Sequence, residues 1–219
     1  MPKATRVKAK VAIPIGLDNI HIALMTSDVA GQTTTYGNPE YFARAIKATL
    51  TPILKNGSLD SDDSVEIDES EIVGYTVSID ESQLDDYMRA KIFGHTVDVD
   101  GGIIINKDDV PPTLALLFRS KLSDHQHFKN VVLYKGTFKK NTEEFETDKK
   151  DSTTYKTETI EGTFYARESD GNIKYDLRED NTAASATKIA NWFTAVQEPG
   201  EAATASASNN EEVENGGES

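Results

Sequence analysis

In Leu114-Ala115-Leu116-Leu117-Phe118 every position is apolar, so a strand built from this run buries both of its faces. Such a strand, read here over 113–119, lies in the middle of a sheet covered on two sides. Working outward, the neighbouring segments alternate instead, with apolar residues at every second position, as strands do when one face is buried and the other wet. Toward the C-terminus, strands are expected at 130–138, 155–167 and 173–177, the last entered through Gly171-Asn172; these three read as an antiparallel meander. Toward the N-terminus a short strand is expected at 103–105. Further back, Val73, Tyr75, Val77 and Ile79 alternate opposite a segment over 43–54, which suggests a hairpin pair. At the start, Val7, Ala9, Val11, Ile13 and Ile15 share one side. Ile20, Ile22 and Leu24 do so again after a turn signalled by Gly16 and Asp18-Asn19. The chain is mainly β.

Two helices interrupt this pattern. Ser82-Gln83-Leu84-Asp85 is a helix-start signature, Leu84, Tyr87, Met88 and Ile92 follow at helical spacing, and Gly94 is placed to end the helix left-handed. This helix is expected to cover one sheet face. A second is expected over 183–197, where Ile189, Trp192, Phe193 and Val196 repeat at three and four residues. Between the members of the hairpin pair, residues 55–68 are too polar and too acidic for a core. They read as a long loop projecting into solvent or a partner, and either use is open from the residues alone.

Length and charge narrow the function. A chain of 219 residues has room for one main domain plus trimmings. The formal net charge of -14 opposes tight binding to nucleic-acid phosphates, which relies on Lys and Arg displacing counterions. There is no cysteine, which excludes disulfides, thiolate metal sites and thiol nucleophiles together. The basic opening Met1-Pro2-Lys3-Ala4-Thr5-Arg6 is not followed by the apolar core of a signal peptide, and no apolar run approaches the roughly 20 residues of a membrane-spanning helix. A soluble protein without membrane contact is expected. From Glu198 onward the composition turns to small polar residues and acids without any base, so 200–219 is expected to be a disordered acidic tail after a domain over 1–199.

Few constellations suggest chemistry. His125-Gln126-His127 could offer two imidazoles along a strand, yet no third ligand is at hand, and an exposed turn is the better reading. Asp98-Val99-Asp100-Gly101-Gly102 opens like a calcium loop but lacks the later oxygen ligands and the closing Glu, which favours a tight hairpin turn. His95 reads as a residue leaving the helix. Asp60-Ser61-Asp62-Asp63 could hold a divalent ion weakly, but solvated acidic loops are common. Paired acids such as Glu143-Glu144 have little specificity in so acidic a chain. No phosphate loop, nucleophile elbow or His-Glu-x-x-His helix occurs. No cofactor, no metal and no enzymatic activity are expected.

Several segments, in order, do resemble one family. They are 16–28, Thr35-Tyr36-Gly37-Asn38-Pro39, Ala45-Ile46-Lys47-Ala48-Thr49, Phe93-Gly94-His95-Thr96-Val97-Asp98 with Asp108-Asp109-Val110-Pro111-Pro112, Val132-Leu133-Tyr134-Lys135-Gly136-Thr137-Phe138, and 189–199 around Trp192. Together they resemble the major tail proteins, or tail-tube proteins, of long-tailed phages infecting Gram-positive bacteria. Lys140-Asn141 departs from the proline found in many relatives. The resemblance implies a β-sandwich or barrel with a flanking helix, a long inter-strand loop and a C-terminal helix. It further implies hexameric rings stacked into a tube around a tape-measure protein and capped by tail terminator and distal tail or baseplate proteins. DNA would pass through in transit, unbound, in a virion tail whose subunits are made in the host cytoplasm. The loop over 55–70, with Asp60, Asp62, Asp63, Glu66 and Asp68, would grip the next ring, and the acidity would serve either to line the lumen with carboxylates that repel phosphate or only to keep the concentrated subunit soluble before assembly. The rival reading is a monomeric β-sandwich binding module for carbohydrate or a host surface, with Tyr155, Tyr165 and Tyr175 as its platform.

Overall fold

The computed structural model describes residues 12–61, 64–139 and 158–200. Along them run β1 (Pro14–Ser27), β2 (Thr35–Tyr36), β3 (Glu40–Ser61), β4 (Ser64–Gln83), α1 (Asp86–Phe93), β5 (Thr96–Val97), β6 (Ile103–Ile104), β7 (Leu114–Leu122), β8 (Phe128–Lys139), β9 (Glu158–Tyr165), β10 (Lys174–Arg178) and α2 (Ala186–Ala190). The fold is mainly β, with one large antiparallel sheet and a small β5-β6 hairpin.

The large sheet nearly closes on itself through β8. One edge of β8 pairs with β7, from Leu114↔Gly136 to Lys121↔Phe128. The opposite edge is divided: β10 takes the first half, Arg178↔Lys129 to Lys174↔Leu133, and β9 the second, Lys135↔Tyr165 to Lys139↔Glu161. These three strands are therefore not the meander their order suggested, because β8 has room on one edge for two partners end to end. The outer edge of β9 then pairs with β4, Gly74↔Tyr165 to Glu81↔Glu158, and β4 with β3. The circuit β8-β7-β1-β3-β4-β9 is completed between β1 and β3 by three residue pairs only, Ile20↔Ala43, His21↔Tyr41 and Ile22↔Glu40.

Beyond those pairs the two strands part. Residues 14–18 of β1 stay on β7, while β3 from residue 44 onward stays on β4. The fork between them holds a cavity of about 200 Å3 lined by Leu17, Asp18, Asn19, Ala43 and Ala45 among others. The turn expected at Gly16 and Asp18-Asn19 is absent. Continuous pairing to β7 carries one strand through it, and the turn residues survive as register shifts, with Asn19 at φ 48°. Residues 7–11, the other part of that first expected strand, lie outside the described residues.

Alternation sorts the side chains into two cores. Leu114, Leu116 and Phe118 of β7 and Val131 and Leu133 of β8 face the interior of the circuit, with Ile20, Ile22, Phe42, Val77, Ile79 and Phe164. Ala115, Leu117, Val132 and Tyr134 face the other way, onto Leu177 and Trp192. The doubly buried strand expected at 113–119 is thus observed. Helix α1 lays Met88, Ile92 and Phe93 on the inner core. It starts later than its signature implied, since Ser82 and Gln83 remain in the β4 ladder and Asp85 stands at the N-cap without a side-chain bond. Tyr87, expected on the buried face, is exposed. Gly94 ends the helix at φ 74° as expected.

The second helix is much shorter than 183–197. Ser185 caps it by accepting from the Lys188 N–H at 3.4 Å, and it ends at Asn191, whose carbonyl is taken by Thr194 Oγ1 at 3.1 Å and Gln197 Nε2 at 2.8 Å. Turns follow, yet Ile189, Phe193 and Val196 still pack on the outer core around the buried Trp192.

Where β8 and β9 meet, two glycines make closure possible. The Phe164 ring fills the place of a Gly136 side chain, and a Cβ there would come within 2.3 Å of Cδ1; Phe138 lies similarly over Gly162. The two rings meet edge-on at 6.0 Å, and Phe42 stacks on Phe138 at 5.3 Å. Gly136→Ala is expected to cost about 1–3 kcal/mol by overpacking, read as a lower urea midpoint with an unchanged slope.

Candidate assembly surface

The hairpin of β3 and β4 is the longest feature of the molecule. Its ladder runs from Arg44↔Gln83 out to Ser61↔Ser64. The acidic segment expected to be a loop over 55–70 is therefore a continuation of both strands, with Lys55↔Glu71, Ser58↔Asp68 and Asp60↔Val65 as opposite pairs. Polar residues did not prevent pairing, because the backbone ladder between two strands needs no apolar face. Asp60 sits in β3, and Glu66 and Asp68 in β4, so these three share one ribbon. Asp62 and Asp63 lie outside the described residues.

This ribbon carries unused backbone pairing. Among the described residues, the margin of β3 facing away from β4 has no strand partner over 45–61, and β4 has none besides β3 over 64–73. Unpaired strand margins are templates for association unless another chain or element covers them. Apolar side chains flank the base of the ribbon: Leu54 and Ile72, directly opposite each other, are about half exposed, and the exposed Tyr165 lies across Gly74. Near the fork, Ile13, Ile15 and Ile46 are exposed as well.

A second exposed apolar region is the small lobe between α1 and β7. Its β5-β6 hairpin turns at Asp98, whose Oδ1 accepts from the N–H groups of Asp100 at 2.9 Å and Gly102 at 2.6 Å. This is the tight turn expected there. Val97, Val99, Ile104, Ile105 and Val110 are all exposed. The lobe is nevertheless fixed at its base, where His95 Nδ1 lies 2.7 Å from Asp109 Oδ2 and the Asn106 N–H donates to the same oxygen at 2.8 Å. Sequence reading gave His95 no such role; the pairing depends on a separation of 14 residues that only the turn brings together.

Two tethers elsewhere hold the framework, and neither was visible in the sequence. Arg167, with its side chain almost wholly buried, lies over the Tyr134 ring at 3.9 Å, bonds both oxygens of Glu198 at 2.7 Å, and pairs with Asp170. Glu198, the residue expected to begin a loose tail, thus closes the C-terminal segment onto β8 and β9. Tyr134 Oη adds a bond to the Gln197 carbonyl at 2.9 Å. The acidic residues from 201 on lie outside the described residues. One residue further along β8, the buried carboxylate of Asp28 receives Lys135 Nζ at 2.8 Å, the N–H groups of Glu168 and Ser169, and the Thr34 hydroxyl. Burial alone would raise its pKa, but these four donors outweigh burial and hold it down at about 2.

The remaining chemical candidates are structural. His125 and His127 fall in the β7–β8 turn and not along a strand; His125 has φ 60°, and His127 Nδ1 lies 2.6 Å from Asp124 Oδ2. That hydrogen bond raises the His127 pKa and, with the backbone donors of 126 and 127, lowers that of Asp124 to about 2. Among the described residues no group of three or more His, Cys, Asp or Glu could hold a metal ion. Of the tyrosine platform, Tyr155 lies outside the described residues and Tyr175 is half-buried against Trp192 at 5.9 Å, which leaves Tyr165 on the surface. No described helix is long and apolar enough to cross a membrane.

A nearly closed β circuit with a long two-stranded ribbon and margins unpaired among the described residues is the architecture of a subunit suited to association. The sequence matches the family described as phage tail tube protein over residues 48–191. No curated protein matches the chain. The chain belongs to the phage tail tube protein family: it is a structural, non-enzymatic component of a phage tail that assembles with other tail proteins into a tube.

Because the folded pKa of Asp28 is depressed, its contribution is present above the ordinary carboxylate range and disappears as pH falls through about 2. Asp28→Asn is therefore expected to be less stable than the unaltered chain at neutral pH. In urea titrations the difference should shrink from roughly pH 4 downward. A difference that stays constant with pH would show that the carboxylate charge is not what ties β1 to β8.

Proposed function

We propose that six copies close into a ring and that rings stack into the tube through which phage DNA is ejected. The observation that carries this reading is the unpaired margin of β3 in an otherwise circularised sheet, within a chain of the tail tube family. The sheet borders are sealed at β8 and β9, and among the described residues the β3 and β4 ribbon, the β1 side of the fork and the outer edge of β10 are open to neighbours. Cyclic closure between copies uses such margins without leaving a free end in the ring. The acids Asp60, Asp62, Asp63, Glu66 and Asp68 serve contact with the adjacent ring; Asp60, Glu66 and Asp68 lie on the ribbon strands.

The formal charge of -14 supports a conduit that repels phosphate, so that DNA slides without adhering. A tape-measure protein would occupy the lumen during assembly, and terminator and distal tail proteins would close the two ends. Synthesis would take place in the cytoplasm of the bacterial host, a Gram-positive species in keeping with the sequence resemblance.

Negative-stain electron microscopy of the concentrated protein is expected to show rings with a mass six times the 24.0 kDa subunit, and tubes formed from them. Reversing the charge of Asp62, Asp63 and Asp68 together should leave the fold intact and reduce tubes relative to rings. A protein that stays monomeric at high concentration would contradict the proposal, and unchanged tube yield in the triple variant would remove the ribbon acids from it.

A further inference from the structure

The lobe at 96–110 and the fork between β1 and β3 are opposite in shape and in charge. The β5-β6 hairpin ends in a turn closed by the Gly101 N–H on the Asp98 carbonyl at 3.2 Å, and Val99 at its tip is fully exposed, so the tip rests on nothing in its own subunit. Its base is fixed by His95 and Asp109. Of the lobe's acids, Asp98 serves the turn, Asp109 serves the base and Asp108 lies 3.9 Å from Lys107. Asp100, next to Val99, has no side-chain partner among the described residues. The fork is the reverse. Ile13 and Ile15 on its β1 arm and Ile46 on its β3 arm are all more than half exposed, and a cavity of about 200 Å3 opens between the arms. Lys47 follows Ile46, and Lys121 stands opposite Gly16, beside Ile15. The acids here have partners: Asp18 is held by Arg119 at 2.8 Å, and Asp80, opposite Lys47, accepts from the Thr159 hydroxyl at 2.7 Å. In a chain of net charge -14, the fork is an apolar notch with a basic rim.

We propose that the tip of this lobe in one subunit, Val99 with Asp100, seats in the fork of another subunit, between Ile15 and Ile46. This rests on the self-assembly reading above and names a further surface through which copies meet. Val99 loses water against the two isoleucines, and Asp100 meets Lys47 and Lys121 at the rim. Aliphatic side chains on a fixed support can be buried without first being ordered, which removes one of the costs of association. The rim charges contribute register and discrimination more than affinity.

The places of the two features along β7 select a second copy as the occupant. The lobe leads into the first residues of β7 through Pro111, Pro112 and Thr113, whereas the β1 arm of the fork pairs with its last ones, Pro14↔Leu122 and Leu17↔Ser120. At the usual rise per residue the ends of this nine-residue strand lie about 27 Å apart. A knob and a notch at opposite ends of one strand meet when the next copy follows in the strand direction. Such a contact is head-to-tail, so the same two faces recur in every copy and the series closes into a ring or extends as a filament. The symmetric alternatives are disfavoured, since two lobes bring acid to acid and two forks bring base to base.

The absence of native cysteine allows a direct test in the full-length chain. Val99→Cys protein carrying a mass tag is mixed with Ile15→Cys or Ile46→Cys protein, assembled and mildly oxidised, so that the heterodimeric disulfide arises only between two copies. The expected result is a heterodimer at one of these fork positions at least tenfold above that with Tyr87→Cys, a comparably exposed site on α1. Tubes that form without this cross-link would overturn the docking while leaving the proposed function standing. Failure of the unaltered chain to form rings or tubes would overturn both. A dilute Val99→Cys/Ile46→Cys monomer that closes its own disulfide would place the tip on its own subunit and also overturn the inference. A second arm reads charge alone: Asp100→Lys sets like charges together and should lower tube yield at least tenfold with the urea midpoint of the monomer unchanged. Adding Lys47→Glu and Lys121→Glu to the same chain should restore the tubes; no loss, or no rescue, counts against the pairing.

Discussion

The two-partner edge of β8 constrains the rest of the molecule. One strand of twelve residues must pair with β7 along one side and with β10 and then β9 along the other. Satisfying β9 there brings β4 round to the same circuit, and β4 brings β3. The circuit needs close backbone approach at the junction, which is why Gly136 and Gly162 lie beneath Phe164 and Phe138. A side chain at either position would compete with the rings that fill the interior. The inner core, the ribbon and the fork all follow from this one pairing pattern.

Closure on one side concentrates what is left unpaired on the other. Because β3 meets β1 at only three residue pairs, most of its outer margin is released to the surface together with the fork. A fully closed barrel would bury that margin and have little reason to polymerise, whereas an open sheet would expose several edges and risk uncontrolled association. The observed compromise leaves one long margin, that of β3 beyond its three pairs with β1.

The tethers around the frame work in the same direction. Arg167 with Glu198 and Asp170 holds the C-terminal segment over the outer core, and Asp28 with Lys135 holds the exit of β1 to the middle of β8. Arg167 and Asp28 are the buried members of these pairs, so removing their partners leaves a charge largely cut off from water. Their role is to keep Trp192 and the doubly covered β7 and β8 rigid while the ribbon extends outward. The lobe at 96–110 shows the same economy of design, with a fixed base at His95 and Asp109 beneath exposed aliphatic residues.

Much of this was legible in the residues and some was not. Leu114 to Phe118 announced a doubly buried central strand because composition alone determines burial on both faces. Gly94 announced its left-handed cap, and Asp98 its turn, because each depends on neighbours in sequence. The ribbon strands over 55–61 and 64–70 were misread as a loop, since their sequence lacks the apolar alternation by which strands are recognised. The early turn at Asp18-Asn19 and the full-length second helix were misread because pairing to β7, and the carbonyl of Asn191, override local preference. Arg167, Asp28 and His95 were invisible, as their partners stand 31, 107 and 14 residues away. The account as a whole turns on whether the β3 margin is open in the monomer and filled in the assembly. Hydrogen–deuterium exchange resolved over residues 45–61 measures this directly: fast exchange in the monomer with strong protection in tubes is the expected result, and protection that is already present in the monomer, or absent from the tube, would contradict it.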